Sequence, residues 1–314
     1  MKTSFKKTLV AVCVGAAVFA AAGTASANSL LFPYFTTVSG AQSVLSLSNT
    51  GAAPATQALH YVYNYGTACT HFNASGSLTA NDILSHSIAS PAAGGFGKVV
   101  GSDTSTPVYF PLANQTGFLV VSSKTVAATD ALRGSMAIVD PASGLVVSYP
   151  GIDNAAPTDG AAGANGEGNF SGITDLNFPL TTLPSAIVST SWYGVVVGDM
   201  GGAIGAGANW GPGVSFSNNG NVYNNDEVAY SGTTSKTITC AGSIVPADLA
   251  TSAQAAAVGT NGGLVKVTGT PVPSVAPALG TATGAVLMKM QAVQAAVGAP
   301  FAGKKFLHRE QAGL

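Results

Sequence analysis

Charge is what this chain has least of. Its 314 residues include 12 Lys+Arg and 13 Asp+Glu, 8% of the total, against about 25% in ordinary soluble domains. No basic field exists to attract nucleic acid or an anionic membrane surface. The polar surface must come from Ser, Thr, Asn and Gly, which suits packed assemblies because few long charged side chains need desolvating. Catalytic signatures are missing too: there is no G-x-S-x-G elbow, no H-E-x-x-H, no P-loop and no C-x-x-C-H. Strands do not alternate with helices, which excludes a βαβ architecture, and no repeat of fixed period is present. Cysteines number three, too few for a disulfide-scaffold miniprotein.

Among what is present, the first 27 residues are the most informative. Lys2, Lys6 and Lys7 precede an apolar or small run from Leu9 to Ala22, and Ala25-Ser26-Ala27 follows. That order of charge, apolar run and small residues predicts a cleaved secretory signal peptide. The run is too short to span a bilayer. Val12 before Cys13 lacks the small residue a lipid-anchor site needs. The mature chain is expected to begin near Asn28 and to be exported to the cell surface, the medium or the periplasm. Without the three leader lysines, 9 basic residues face 13 acidic ones, a formal charge of −4. The same cleavage leaves Cys69 and Cys240. In an oxidising compartment two cysteines most simply form one disulfide, the alternative being two buried free thiols. A bond across so long a loop ties the two ends of the chain together, so residues 28–314 are read as one domain.

Most segments alternate with period two and are separated by turn residues. Strands are predicted at Ser43–Ser48, Ala58–Tyr65, Ile83–Ile88, Phe118–Ser122, Ser135–Val139, Leu145–Tyr149, Ile187–Val197, Val228–Tyr230, Lys236–Cys240 and Gly263–Thr268. Asp140-Pro141-Ala142-Ser143-Gly144 supplies the turn of a hairpin. Asp153 to Gly172 is rich in Gly, Ala, Asn and Asp and reads as a loop insertion, extending to about 175. Gly198 to Gly213 and Asn218 to Asp226 read as glycine- and asparagine-rich turns. A helix is predicted over Ala247 to Val258, with Pro246 near its start, and Thr270 to Pro277 must be extended. Residues 285–297 fit either state: Val286, Met288 and Met290 alternate as a strand, while the Ala/Gln/Met content suits a helix. A closing strand to about Gln291 is preferred. The fold class is therefore all-β, an antiparallel β-sandwich of Ig-like or jelly-roll type with long Gly/Asn-rich loops. An outer-membrane barrel would show longer strands and aromatic girdles.

The segment Leu30–Phe35 is very apolar. It either forms the first strand of its own sandwich, with Pro33 at an edge or bulge, or is donated to a neighbouring subunit. Ser29 to Thr37 (SLLFPYFTT), Ala41 to Thr50 (AQSVLSLSNT) and Tyr61 to Phe72 (YVYNYGTACTHF) together resemble a group of exported proteins of Gram-negative bacteria described as cell-surface proteins. The resemblance covers roughly the first 65 mature residues. It implies a secreted β domain and no activity, and it carries over no catalytic or binding residue.

Three sets of side chains suggest sites. Tyr61, Tyr63 and Tyr65 share one face of a strand, and with Trp192, Tyr193 and Trp210 they offer an aromatic platform for pyranose rings. The competing reading makes the tyrosines sheet core with hydroxyls at its edge. Asp153, Asp159, Glu167 and Asp175 fall in the loop insertion and could supply oxygen ligands to Ca²⁺. No D-x-[DN]-x-[DN]-G pattern supports them, and a solvated loop explains them as well. His60, His71 and His86 lie on neighbouring strands, with Cys69 and His71 placed on one strand face by alternation. Metal binding there competes with ordinary hydrogen-bonded histidines and a disulfide-bonded Cys69. Asp226 and Glu227, being adjacent, point apart on a strand and make no catalytic pair. No catalytic residue, metal or cofactor is therefore assigned. The function expected is an exported, non-enzymatic structural or adhesive cell-surface protein, partnered by copies of itself or by surface polysaccharide. A carbohydrate-binding module and a secreted hydrolase are the alternatives.

Overall fold

A computed structural model describes residues 29–50, 56–89, 114–124, 132–140, 145–153, 168–201, 209–220, 222–273, 280–294 and 303–310. The leader, the turn residues 141–144, Asp159, Glu167, residues 202–208 of the glycine-dense stretch and residues 274–277 of the proline run lie outside them. Among the described residues no helix is long and apolar enough to cross a membrane.

The first half of the chain builds nine strands: β1 (Ser29–Thr36), β2 (Gln42–Asn49), β3 (Gln57–Tyr65), β4 (Thr70–Leu78), β5 (Ile83–Ala89), β6 (Thr116–Ser123), β7 (Leu132–Asp140), β8 (Leu145–Pro150) and β9 (Ile152–Asp153). They make two antiparallel sheets, sheet I in the order β4-β3-β6-β1-β9 and sheet II in the order β5-β2-β7-β8. The alternation in Ser43–Ser48 is realised as a strand with Leu45 and Leu47 buried and Ser46 and Ser48 half-buried.

The second half adds β10 (Asn177–Thr182), β11 (Val188–Gly198), β12 (Gly213–Ser217), β13 (Val222–Asn224), β14 (Ala229–Tyr230), β15 (Ser235–Thr239), β16 (Ala241–Ile244), α1 (Ser252–Asn261), β17 (Gly263–Val272), β18 (Ala282–Val293) and β19 (Lys305–Arg309). Sheet III runs β16-β11-β18-β19, and sheet IV runs β14-β13-β17-β12-β15 with β10 also on β17. Every strand pair is antiparallel, and the sheets are open. The fold is all-β and sandwich-like.

The strands stack as two sandwiches through a shared wall. Tyr193, Val195 and Val197 of β11, with Val286 and Met288 of β18, join the core that sheets I and II build. Their alternates Trp192, Val196, Ala285 and Leu287 join the core of sheet IV. The central strands β11 and β18 of sheet III are thus buried on both faces over most of their length. That is why Trp192–Val197 reads as an unbroken apolar run and not as an alternation.

The remaining differences are local. The helix begins five residues later than expected, because Pro246 opens a separate 3-10 turn (Pro246–Asp248) and the real start signal is Thr251 with Gln254. Each caps the other's backbone in a capping box. The ambiguous segment 285–297 is strand through Val293. Part of the Asn218–Asp226 turn region is strand β13, paired with β17. From Gly168 onward the predicted loop insertion is packed instead of open. Phe170 and Ile173 are buried, Phe170 N–H donates to the Gly198 carbonyl at 2.8 Å, and Ala285 N–H donates to the Asp175 carbonyl at 2.9 Å. Glycine-rich composition hid these two core residues.

The N-terminal strand belongs to its own sheet. β1 lies between β6 and β9, with all eight residues buried. Pro33 cannot donate to a ladder, and the register shifts between Phe32 and Phe35, so the bulge falls in an interior strand. The bulge frees the backbone of Tyr34, and the buried Tyr149 hydroxyl takes over both groups: it accepts from Tyr34 N–H at 3.2 Å and donates to the Tyr34 carbonyl. Tyr149→Phe leaves both groups unpaired and is expected to cost about 1–3 kcal/mol, read as a shift of the urea midpoint at unchanged slope.

Candidate functional site

The bulge also turns the Tyr34 side chain towards sheet III. Its ring meets that of Tyr193 edge to face, with centroids 5.2 Å apart. Burial pushes both hydroxyls above the ordinary tyrosine range, and a hydrogen bond with Thr36 partly opposes this at Tyr34. The two rings mark the seam where the first sandwich meets the wall of the second.

Two cavities open along that seam. One, of about 300 Å³, is lined by Tyr34, Thr36, Asp140, Ser189, Ser191 and Met290, among others, with Lys305 and the half-exposed Phe306 at its β19 side. The other, of about 360 Å³, is lined by Gly66, Thr67, Gln115, Tyr193, Gly242 and Ser243, among others. Tyr34, Val38, Thr116 and Met290 line both, so the two make one groove. The walls come from β1, β11, β16, β18 and β19, with single residues from β6 and β7. They carry mostly hydroxyl and amide side chains, with one carboxylate and one ammonium group.

The disulfide lies in the core next to residues that line the second cavity. Cys69 and Cys240 are bonded, with Cα atoms 6.0 Å apart. Cys69 closes the β3–β4 turn and Cys240 the corner between β15 and β16. Both have left-handed backbone, φ 52° and 62°. Gly66 and Thr67 precede one cysteine and Gly242 and Ser243 follow the other, so the bridge ties together two segments that line the second cavity. The expected strand-face pairing of Cys69 with His71 does not form, because Cys69 lies in the turn before β4. His71 instead meets Asn209 Oδ1 through Nδ1 at 2.8 Å.

The aromatic platform is not assembled. Tyr61, Tyr63, Trp192 and Trp210 are fully buried and Tyr65 is half-buried. Trp192 faces the core of sheet IV, whereas the tyrosines face that of sheets I and II, so they cannot share a surface. Trp210 donates its indole N–H to the Val196 carbonyl at 2.9 Å. Trp192 donates to Glu310 at 3.2 Å, and Lys289 lies 3.7 Å from that carboxylate. Both tryptophans are anchored core. Of the acidic set, only Asp153 and Asp175 fall among the described residues. Asp153 ends β9 against Leu30, while Asp175 approaches Arg309 at 3.9 Å. Among the described residues no group of His, Cys, Asp and Glu is placed to hold a metal.

Of the three clustered histidines, His86 is the most altered. It is fully buried, with Nε2 3.0 Å from the Tyr63 hydroxyl and its ring edge to face with Tyr61. Burial lowers its pKa to about 3. The sign follows from proton binding. The unfolded chain takes a proton at His86 below about pH 6.5, while the folded chain refuses one until about pH 3. Stability is therefore unaffected by this group above pH 6.5. It falls as pH drops from 6.5, by up to about 1.4 kcal/mol per pH unit. His86→Phe is expected to flatten the slope between pH 6.5 and 5, measured by urea denaturation across that window. None of the four histidines lines the groove.

The groove residues Tyr34, Ser189, Ser191, Gln291 and Met290 carry no motif. The one local signal was Pro33 inside an apolar run, which announces a bulge and hence a redirected Tyr34. No protein family, curated protein or solved structure matches this chain.

Proposed function

We propose that this protein is an exported, non-enzymatic structural or adhesive component of a bacterial cell surface. The observation that carries the reading is the Cys69–Cys240 bond across the junction of two stacked sandwiches. A buried bridge of this kind persists in oxidising compartments. The leader-like residues 1–27, the scarcity of charge and the resemblance of the N-terminal part to exported surface proteins support the same setting. Expression of the full chain in a Gram-negative host, followed by fractionation, tests it. The expected product starts at Asn28 by mass, is fully oxidised at Cys69 and Cys240, and is accessible to protease on intact cells. Unprocessed, reduced protein in the cytosol would sink the reading.

A further inference from the structure

We propose that the groove between the two sandwiches binds a neutral glycan, with one sugar ring in each cavity. Cavities of 300 and 360 Å³ stand at the low end of ligand sites, about 300–1,000 Å³, which suits a single ring apiece. They join at Tyr34, Val38, Thr116 and Met290, so the site is long enough for a linked pair.

The lining chemistry selects the class. Ser189, Ser191 and Gln291 on one side and Thr67, Gln115 and Ser243 on the other are hydroxyls and amides. Such groups both donate and accept, as sugar hydroxyls do. The Tyr34 ring and Met290 supply apolar surface at the join, for the C–H faces of the rings. Asp140 and Lys305 are opposite in sign and both line the first cavity, so the groove holds no excess positive charge to recruit phosphate or uronate. The main walls are faces of sheets, and their backbone groups are already paired in the β1–β6 and β11–β18 ladders. An extended peptide, which binds chiefly through its backbone, finds few partners there.

The disulfide acquires a role in this reading. By fixing the Gly66–Cys69 turn against the Cys240–Ser243 segment it sets the width of the second cavity before any ligand arrives, and preorganisation of that kind reduces the ordering cost of binding. The inference deepens the adhesive reading by naming what is gripped. Binding is measured on purified protein, so its outcome is separate from where the protein resides.

The test is saturation-transfer NMR and calorimetry on the oxidised protein, with maltose, cellobiose, lactose and N,N′-diacetylchitobiose at millimolar concentration, each against its component monosaccharides. At least one disaccharide is expected to bind, and more tightly than its monosaccharides. Ser189→Trp and Thr67→Trp place bulk at exposed positions in the first and second cavity respectively. Each is expected to weaken binding by roughly tenfold or more with the melting temperature unchanged. Cys69→Ser/Cys240→Ser is expected to weaken it while circular dichroism still reports native β content. Binding of none of the four disaccharides overturns the inference, as does binding that both tryptophan variants leave intact. Capture of an extended Ser/Gly peptide with no sugar bound would reassign the groove and overturn it equally. Periplasmic protein that still binds sugar would count against the cell-surface reading and leave this one standing.

Discussion

Breaking the Cys69–Cys240 bond is expected to cost this protein about 5 kcal/mol, the chain-entropy value for a loop well over 100 residues long. The cysteines are 171 positions apart, so the reduced unfolded chain regains nearly the largest loop entropy this sequence offers. For a chain of this size the loss corresponds to a fall in melting temperature of roughly 10–20 °C. Two observations locate the effect. Cys69 and Cys240 both belong to the core that sheets I and II share with sheet III, and they lie where the two sandwiches meet. The reduced protein should keep its sheets, because both cores are built from strands paired elsewhere, but should open first at the seam. Thermal melts of oxidised protein, reduced protein and the Cys69→Ser/Cys240→Ser variant measure the loss, and hydrogen exchange at β11 and β18 locates it. Equal melting temperatures would mean that packing of Tyr34 against Tyr193 and its neighbours holds the seam unaided.

Phe32→Ala should come close to that loss, at about 3–5 kcal/mol, as for other fully buried phenylalanines. Phe32 sits in the interior strand β1 and is completely buried. Its ring covers two glycines: a Cβ at Gly134 or at Gly151 would lie 2.9 Å from the ring. The fit of ring over glycine is therefore mutual. Gly151→Ala alone is expected to cost about 1–3 kcal/mol by overpacking. In the Phe32→Ala background the same change should cost less, since two of the three nearest atoms belong to Phe32. The double-mutant cycle gives the coupling. Strictly additive losses would show that the glycines are needed for backbone reasons alone. Removing Ser29–Thr36 altogether should leave the chain unfolded, because β6 and β9 lose their common partner. A truncated chain that stays folded but loses mass by light scattering would instead indicate strand donation between subunits.

An ion pair beside the C-terminal strand adds to the ladder by which β19 closes sheet III on β18. Lys289 is buried, donates to Thr181 Oγ1 at 2.7 Å and lies 3.7 Å from Glu310. Glu310 also accepts from Trp192. Neither partner announces the other in sequence, for they are 21 positions apart, Lys289 within β18 and Glu310 just past the end of β19.

Two strands were legible from the pattern of residues alone: Ser43–Ser48 lies within β2 and Ala58–Tyr65 within β3. The all-β class followed from such segments. The pairing of Cys69 with Cys240 followed because no third cysteine remained once Cys13 was assigned to the leader. Period-two reasoning works there because a half-buried strand writes its environment into its alternation. It does not say what covers a strand's second face, and it misses polar or mixed strands such as β4, β10 and β19. That is why β4, β10 and β19 were not legible, and why β11 and β18 could be read as strands but not as the wall between two cores. The groove was equally hidden. Its residues come from strands far apart in the chain, they are ordinary Ser, Thr, Gln and Met, and their meaning arises only from facing one another. The tyrosines and tryptophans that looked like a binding surface became core for the same reason: large rings gain most from leaving water, and only the stacking of the sheets decides which rings are enclosed and which line an opening.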